Sequence, residues 1–152
     1  MEPLNFKNFI LSEASSIDAS IDTKKTIKKL PKEHQLLLKG YKISFESGCS
    51  LKNDKNHIGY NDLNKRKIVV SGPWHYGREF TLLHEIGHLI WFHYMKNDKA
   101  KQATWKALVK ATPNKVDQQA EEVFCHTYAN LYSKHKMISH NHPKLEKFVK
   151  SI

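Results

Sequence analysis

His84-Glu85-Ile86-Gly87-His88 sets two imidazoles four residues apart with a carboxylate beside the first. On a helix, residues i and i+4 leave the same face, so both rings can hold one metal ion. Glu85 leaves the backbone between them, where it can reach a water in the metal's open position and act as general base. Two neutral imidazoles and a carboxylate, with the fourth position left to water, suit zinc. The chain has ten His in 152 residues. A spacing of this kind then arises by chance at roughly the few-per-cent level, so its flanks must support it.

The flanks do so. From Phe80 to His93, apolar residues fall at 80, 83, 86, 90 and 91 with helical spacing, the pattern of a helix buried on most of its surface. Gly87 costs such a helix about 1 kcal/mol against Ala. Close passage of another backbone, or of the metal site, is a reason to tolerate it.

The third ligand must come from elsewhere. Asp117 to Tyr132 has apolar residues at 120, 123, 124, 128 and 131 and reads as an amphipathic helix. Three carboxylates compete there. Asp117 is explained equally well as a first-turn acid or cap. Glu121 and Glu122 point about 100° apart, so at most one faces the metal. Glu122 shares a face with His126, which ranks Glu122 ahead of Glu121 and both ahead of Asp117.

Arg78-Glu79-Phe80-Thr81-Leu82-Leu83-His84-Glu85-Ile86-Gly87-His88 resembles the R-x-F-T-x-x-H-E-x-G-H signature of the ImmA/IrrE metallopeptidase family. Lys67-Ile68-Val69-Val70-Ser71 resembles that family's strand before the active helix. Glu122 to Ala129 resembles its second motif, E-x-x-[AC]-N-x-F-A, whose first residue is the third zinc ligand. The resemblance spans roughly residues 55 to 135. It implies that His84, His88 and Glu122 bind zinc and that Glu85 is the base. It further implies a protein or peptide substrate, with a helix-turn-helix repressor of a mobile element or stress regulon as the partner. Two departures stand out: His126 replaces the usual Asn or Asp, and Asn130 to Ser133 lacks the usual L-L-M-P close. The first leaves the partner of a ligand His undefined, and the second the shape of the substrate groove.

A second resemblance is to anthrax lethal-factor-like peptidases. Glu122 to Tyr128 is similar to their E-F-F-A-E-A-F helix, and Pro143 to Lys150 to their closing P-K-x-x-x-F helix. It implies a peptidase acting on a host or extracellular protein. That family has Tyr where this chain has Lys115 and a second Glu where it has His126. Both alignments select Glu122.

A chain of this length reads as one domain, 1–152, with a helical N-terminal extension over 1–40 and a catalytic core over 41–152. No apolar run approaches the roughly 18 residues of a membrane helix, and no secretory signal is expected from Met1-Glu2-Pro3, which lacks a basic stretch followed by an apolar run. Cys49 and Cys125 are the only cysteines. Cys125 reads as a small buried residue of its helix, and a cytoplasmic setting is expected. The net charge is +10, yet of 25 basic residues only Arg66 and Arg78 are Arg. Base-edge recognition favours Arg, so the excess reads as a solvated surface that binds nucleic acid non-specifically if at all. It can also steer an acidic partner.

Periodicity predicts helices over Leu4 to Ala19 and Ile21 to Leu30, then a short one from Pro31 through Leu38 closed by Gly40. Tyr41 to Phe45 alternates like a strand, and Cys49 to Asn56 reads as a loop. His57 to Tyr60 and Arg66 to Val70 flank Asn61 to Lys65 as a hairpin. Trp74 to Gly77 is expected to pack beneath the active helix. Further helices are expected at Asp98 to Ala111, Lys115 to Ser133 and Pro143 to Ile152. His34, His57, His135, His140 and His142 lie in polar surroundings and are expected at the surface, while His93 is expected to be partly buried.

The reading that follows is an α+β zincin-like domain, with a small sheet on the active helix and a second helix bringing Glu122. Zinc activates a water, Glu85 takes its proton for attack on a peptide carbonyl, and Glu85 returns it to the leaving amine. Lys67, Ile68, Val69, Val70 and Ser71 are expected to hold the substrate by strand addition. His126, Tyr128 and Tyr76 are the candidates for stabilising the oxyanion. The competing reading is a metal-stabilised basic module that contacts DNA or protein without catalysis, in which Glu85 has no task.

Overall fold

The computed structural model describes residues 23–46, 59–71, 77–115, 119–134 and 136–152. Pro31, with φ −53°, separates two short helices, α1 at Thr23–Lys28 and α2 at Lys32–Leu37. Gly40, at φ +83°, then turns the chain into strand β1, Lys42–Glu46. A hairpin follows, with β2 at Gly59–Asp62 and β3 at Lys67–Ser71. Its turn is held by Asp62, whose Oδ1 accepts from the Lys65 backbone N–H at 3.0 Å. Arg66 ends the turn at φ +51°, and its guanidinium lies 5.9 Å from the centre of the Tyr41 ring.

The sheet order is β1-β3-β2, with β1 parallel and β2 antiparallel to β3. Ile68 and Val70 face the main core, while Val69 points to the other side and is fully buried too. β3 is therefore the central strand, and both of its hydrogen-bonding edges are taken. Lys67 to Ser71 cannot receive a substrate by strand addition, contrary to the expectation; a peptide joining this sheet has to pair with β1 or β2.

Five further helical segments build the rest. They are α3 at Arg78–Ile90, continued by a π-helical turn at Trp91–Met95; α4 at Lys99–Ala111; α5 at Ala120–Tyr132; and α6 at Pro143–Lys150. Asp98 caps α4, its Oδ1 accepting from the Lys101 N–H at 3.0 Å. Pro143 occupies the first turn of α6, where its missing N–H costs nothing. One side of α3 packs on β2 and β3 and another on α5, the most extensive contact between any two elements. Trp105 of α4 is fully buried against Phe124 and Phe148, and its indole N–H donates to the Ala120 carbonyl at 2.7 Å. Truncating such a side chain to Ala costs about 3–5 kcal/mol. The fold is α+β, with six α-helices and a mixed three-stranded sheet among the described residues. None of these helices is long and apolar enough to cross a membrane.

Four histidines depart from expectation. His34 is buried, with Nδ1 3.0 Å from the Tyr128 hydroxyl and Nε2 3.3 Å from the Ile152 carbonyl. His140 is buried beneath Phe80 and His126. His93, expected to be partly buried, is exposed, with its ring edge on Tyr94. His142 is half-buried. The helix over Leu4 to Ala19, the loop Cys49 to Asn56, and His57, Trp74, Tyr76, Asp117 and His135 lie outside the described residues.

Candidate metal centre

α3 and α5 run antiparallel, and they touch most closely where Gly87 meets Cys125. A Cβ added at Gly87 would sit 3.0 Å from the Cys125 Cα and 3.3 Å from its Sγ. Only a residue without a side chain lets α5 approach this near. Close passage of a second backbone, one of the two reasons the sequence offered for Gly87, is met.

That approach puts Glu122 over the two histidines. Glu122 Oε2 lies 3.2 Å from His84 Nε2, and its Oε1 lies 3.3 Å from His88 Nε2. In a tetrahedral site with metal–ligand bonds near 2.1 Å, donor atoms stand about 3.4 Å apart along each edge. Each imidazole nitrogen thus stands about one such edge from Glu122, but on a different carboxylate oxygen: Oε2 for His84 and Oε1 for His88. Glu121 faces outward, its Oε2 3.8 Å from His88 Nδ1, too far for a hydrogen bond but close enough to favour the ring's N–H on that side. Glu122 rather than Glu121 thus meets both rings. The side chains of His84, His88 and Glu122 are 15%, 22% and 31% exposed, so the cluster is open to solvent on one side.

The electrostatics follow from this geometry. Hydrogen bonds from His84 and His88 hold the Glu122 carboxyl well below the usual carboxylate range, against the opposing effect of burial. Burial disfavours the His88 cation, but the Glu122 hydrogen bond and the charges of Glu85, Glu122 and Glu121 outweigh it and raise its pKa. Removing protons from this cluster leaves negative charge facing two imidazoles, which is what a divalent cation would neutralise. Glu85 is 5% exposed and acts electrostatically on His88. Its backbone carbonyl accepts from Asn61 Nδ2 on β2 at 2.8 Å, which ties α3 to the sheet.

Further donors surround this trio. His126 lies one turn beyond Glu122, its ring 4.8 Å from His84 and stacked on His140 at 4.9 Å. Ligand atoms of His84, Glu122 and His126 lie within 4.8 Å of one another, as do those of His84, His88 and Cys125. Burial pushes the Cys125 thiol up, so it is protonated unless a metal takes the sulfur. Residue types alone did not single out Cys125, whose apolar neighbours read as core. Its position one turn from Glu122 and opposite Gly87 is what brings it to the site.

Tyr128 is not part of this cluster. Position 128 lies about 120° around the helix from position 122. Its ring is fully buried against Phe124 and Tyr132, and its hydroxyl meets His34. It is a core residue rather than a stabiliser of an oxyanion at the metal centre. No family model, curated protein or solved structure matches the chain. The chemistry of the site therefore rests on its own residues and their spacing.

Proposed function

We propose that this chain is a zinc-dependent endopeptidase of zincin type, similar in its motifs to the ImmA/IrrE metallopeptidases. The observation that carries this reading is the Glu122 carboxylate set between the Nε2 atoms of His84 and His88 at 3.2 and 3.3 Å. His84, His88 and Glu122 would hold the ion, and Glu85, buried and acting electrostatically on His88, would serve as general base. Bound there, zinc would supply Lewis acidity and make water nucleophilic near neutral pH.

The chain's own residues divide the remaining work. Glu85 accepts the proton of the attacking water and passes it to the leaving amine, a shuttle within one carboxylate. The burial of Glu85 keeps competing water away from that proton. β2 is an edge strand that packs on α3, and among the described residues no strand pairs with its outer side, where an extended peptide would add. His126, beside His84, is the candidate from the chain for contact with the developing oxyanion. A helix-turn-helix repressor remains the proposed substrate, on the motif resemblance alone.

The second reading is a closed, non-catalytic metal site. His126 and Cys125 favour it, since either would fill the position that catalysis leaves to water.

Two substitutions separate the readings. Glu85→Gln should keep one zinc per chain and the fold but abolish cleavage of a substrate found by proteomic profiling. Glu122→Gln should lose the metal, with affinity falling at least about tenfold, in the range for altered metal-site ligands and their partners. Elemental analysis and the cleavage assay read both. Equal cleavage by wild type and Glu85→Gln would sink the peptidase, and zinc retained at full affinity by Glu122→Gln would sink the ligand assignment.

A further inference from the structure

A cavity of about 780 Å³ opens between α1, the start of α3 and the end of α5. Among the described residues Lys25, Lys28, Lys29, Lys134 and Lys136 line it, against a single carboxylate, Glu79. That carboxylate is already committed. It accepts from Thr26 Oγ1 at 2.8 Å, from Lys29 Nζ at 3.2 Å and from the Lys134 backbone N–H. Lys136 is fixed as well, its ammonium donating to the Asn130 and Leu131 carbonyls at the end of α5. Lys28 and Lys134 are exposed, and their ammonium groups have no carboxylate partner among the described residues. The fold thus gathers charge of one sign into a concavity, where the walls focus the field on whatever enters.

We propose that this pocket binds a compact, multiply charged phosphate ligand, a nucleotide or short oligophosphate, with Lys28 and Lys134 as its principal contacts. The volume lies within the range of about 300–1,000 Å³ for small-molecule clefts. Lys serves as a point-charge phosphate binder that needs no bidentate geometry. An acidic peptide fits less well, because successive side chains stand about 3.3 Å apart and alternate sides, which calls for a long stripe of lysines. Tyr132 and Leu131 add apolar surface for a base or sugar. The pocket shares no residue with the metal centre. Glu79 precedes His84 by five residues, roughly 7.5 Å along the axis of α3, so the proposal stands whether or not the chain cleaves peptides.

Titration calorimetry of the full chain with inorganic tripolyphosphate and with ADP, in about 0.15 M salt, tests it. The pocket pair Lys28→Gln/Lys134→Gln is compared with Lys106→Gln/Lys110→Gln, which removes the same charge from exposed positions on α4. We expect saturable one-to-one binding, weakened about tenfold or more by the pocket pair, as loss of charge-assisted hydrogen bonds implies. The α4 pair should leave it unchanged. Equal weakening by both pairs would mean a diffuse basic coat and would overturn the proposal. Binding that neither pair alters, as chelation of a bound metal would give, overturns it too, as does absence of saturable binding. A short single-stranded oligonucleotide identifies the phosphate source. If it binds more tightly than tripolyphosphate and depends on the pocket pair, the ligand is a nucleic-acid backbone and the compact ligand is refuted.

Discussion

A histidine sealed from solvent has to stay neutral, and His34 is such a residue. Burial lowers its pKa from the ordinary value near 6.5, outweighing the hydrogen bond with the Ile152 carbonyl. Folded protein then binds fewer protons here than unfolded protein, so this contribution to stability is complete above about pH 6.5 and is lost as pH falls below it. Denaturant midpoints should drop between pH 7 and pH 5 more steeply in wild type than in His34→Gln. Parallel slopes in the two proteins would show that His34 takes up its proton without cost. The partners of His34 lie 94 and 118 residues away in sequence. No local pattern reports such contacts, which is why polar neighbours suggested exposure. The juxtaposed residues of the candidate site were more legible, because helical spacing alone aligns His84 with His88 and turns Glu122 toward His126.

At the scale of elements, the hairpin, the His84–His88 helix and the Glu122 helix followed from periodicity and turn residues. The place of β3 within the sheet did not. Its signal was present all the same: Ile68-Val69-Val70 is an unbroken apolar run, as in a strand covered on both faces, whereas an edge strand open to substrate alternates. The packing of α3 on α5 carries a sharper consequence. Ala at position 87 would gain about 1 kcal/mol of helix propensity, but its Cβ would meet the Cys125 backbone at 3.0 Å. Overpacking of this kind costs about 1–3 kcal/mol, so Gly87→Ala should be destabilised overall. α5 must give by a few tenths of an ångström, and ligand distances tolerate only about 0.2 Å. Zinc affinity should therefore fall along with the denaturation midpoint. A Gly87→Ala protein that is more stable and binds zinc as tightly as wild type would show that the two helices can slide apart without penalty.

For the whole molecule, composition separates two quantities that a net charge of +10 merges. The lysines are spread along the sequence, which reads as a solvated coat, but folding brings two from α1 and Lys29 just after it beside two that follow α5. That convergence belongs to tertiary structure and has no sequence period. The α+β class was legible because strand-like and helical patterns occupy separate segments. The antiparallel pairing of α3 with α5, and the crossing at Gly87, were visible only as an unexplained glycine in a helix.

That crossing also makes the protein its own kinetic gauge. The Cys125 sulfur is fully buried against position 87, and an alkylating reagent can reach it only after α3 and α5 part. In a Cys49→Ser background, the labelling rate of Cys125 thus reports the population of the opened helix pair, provided reclosure outpaces reaction. A metal held by His84, His88 and Glu122 would staple those helices across the 33 residues that lie between His88 and Glu122. Free zinc at about a hundred times its dissociation constant should stabilise the closed pair by about 2.7 kcal/mol and slow labelling roughly a hundredfold. A chelator should restore the fast rate. Labelling indifferent to both would mean that no ion bridges α3 and α5, and it would say so without any substrate in hand.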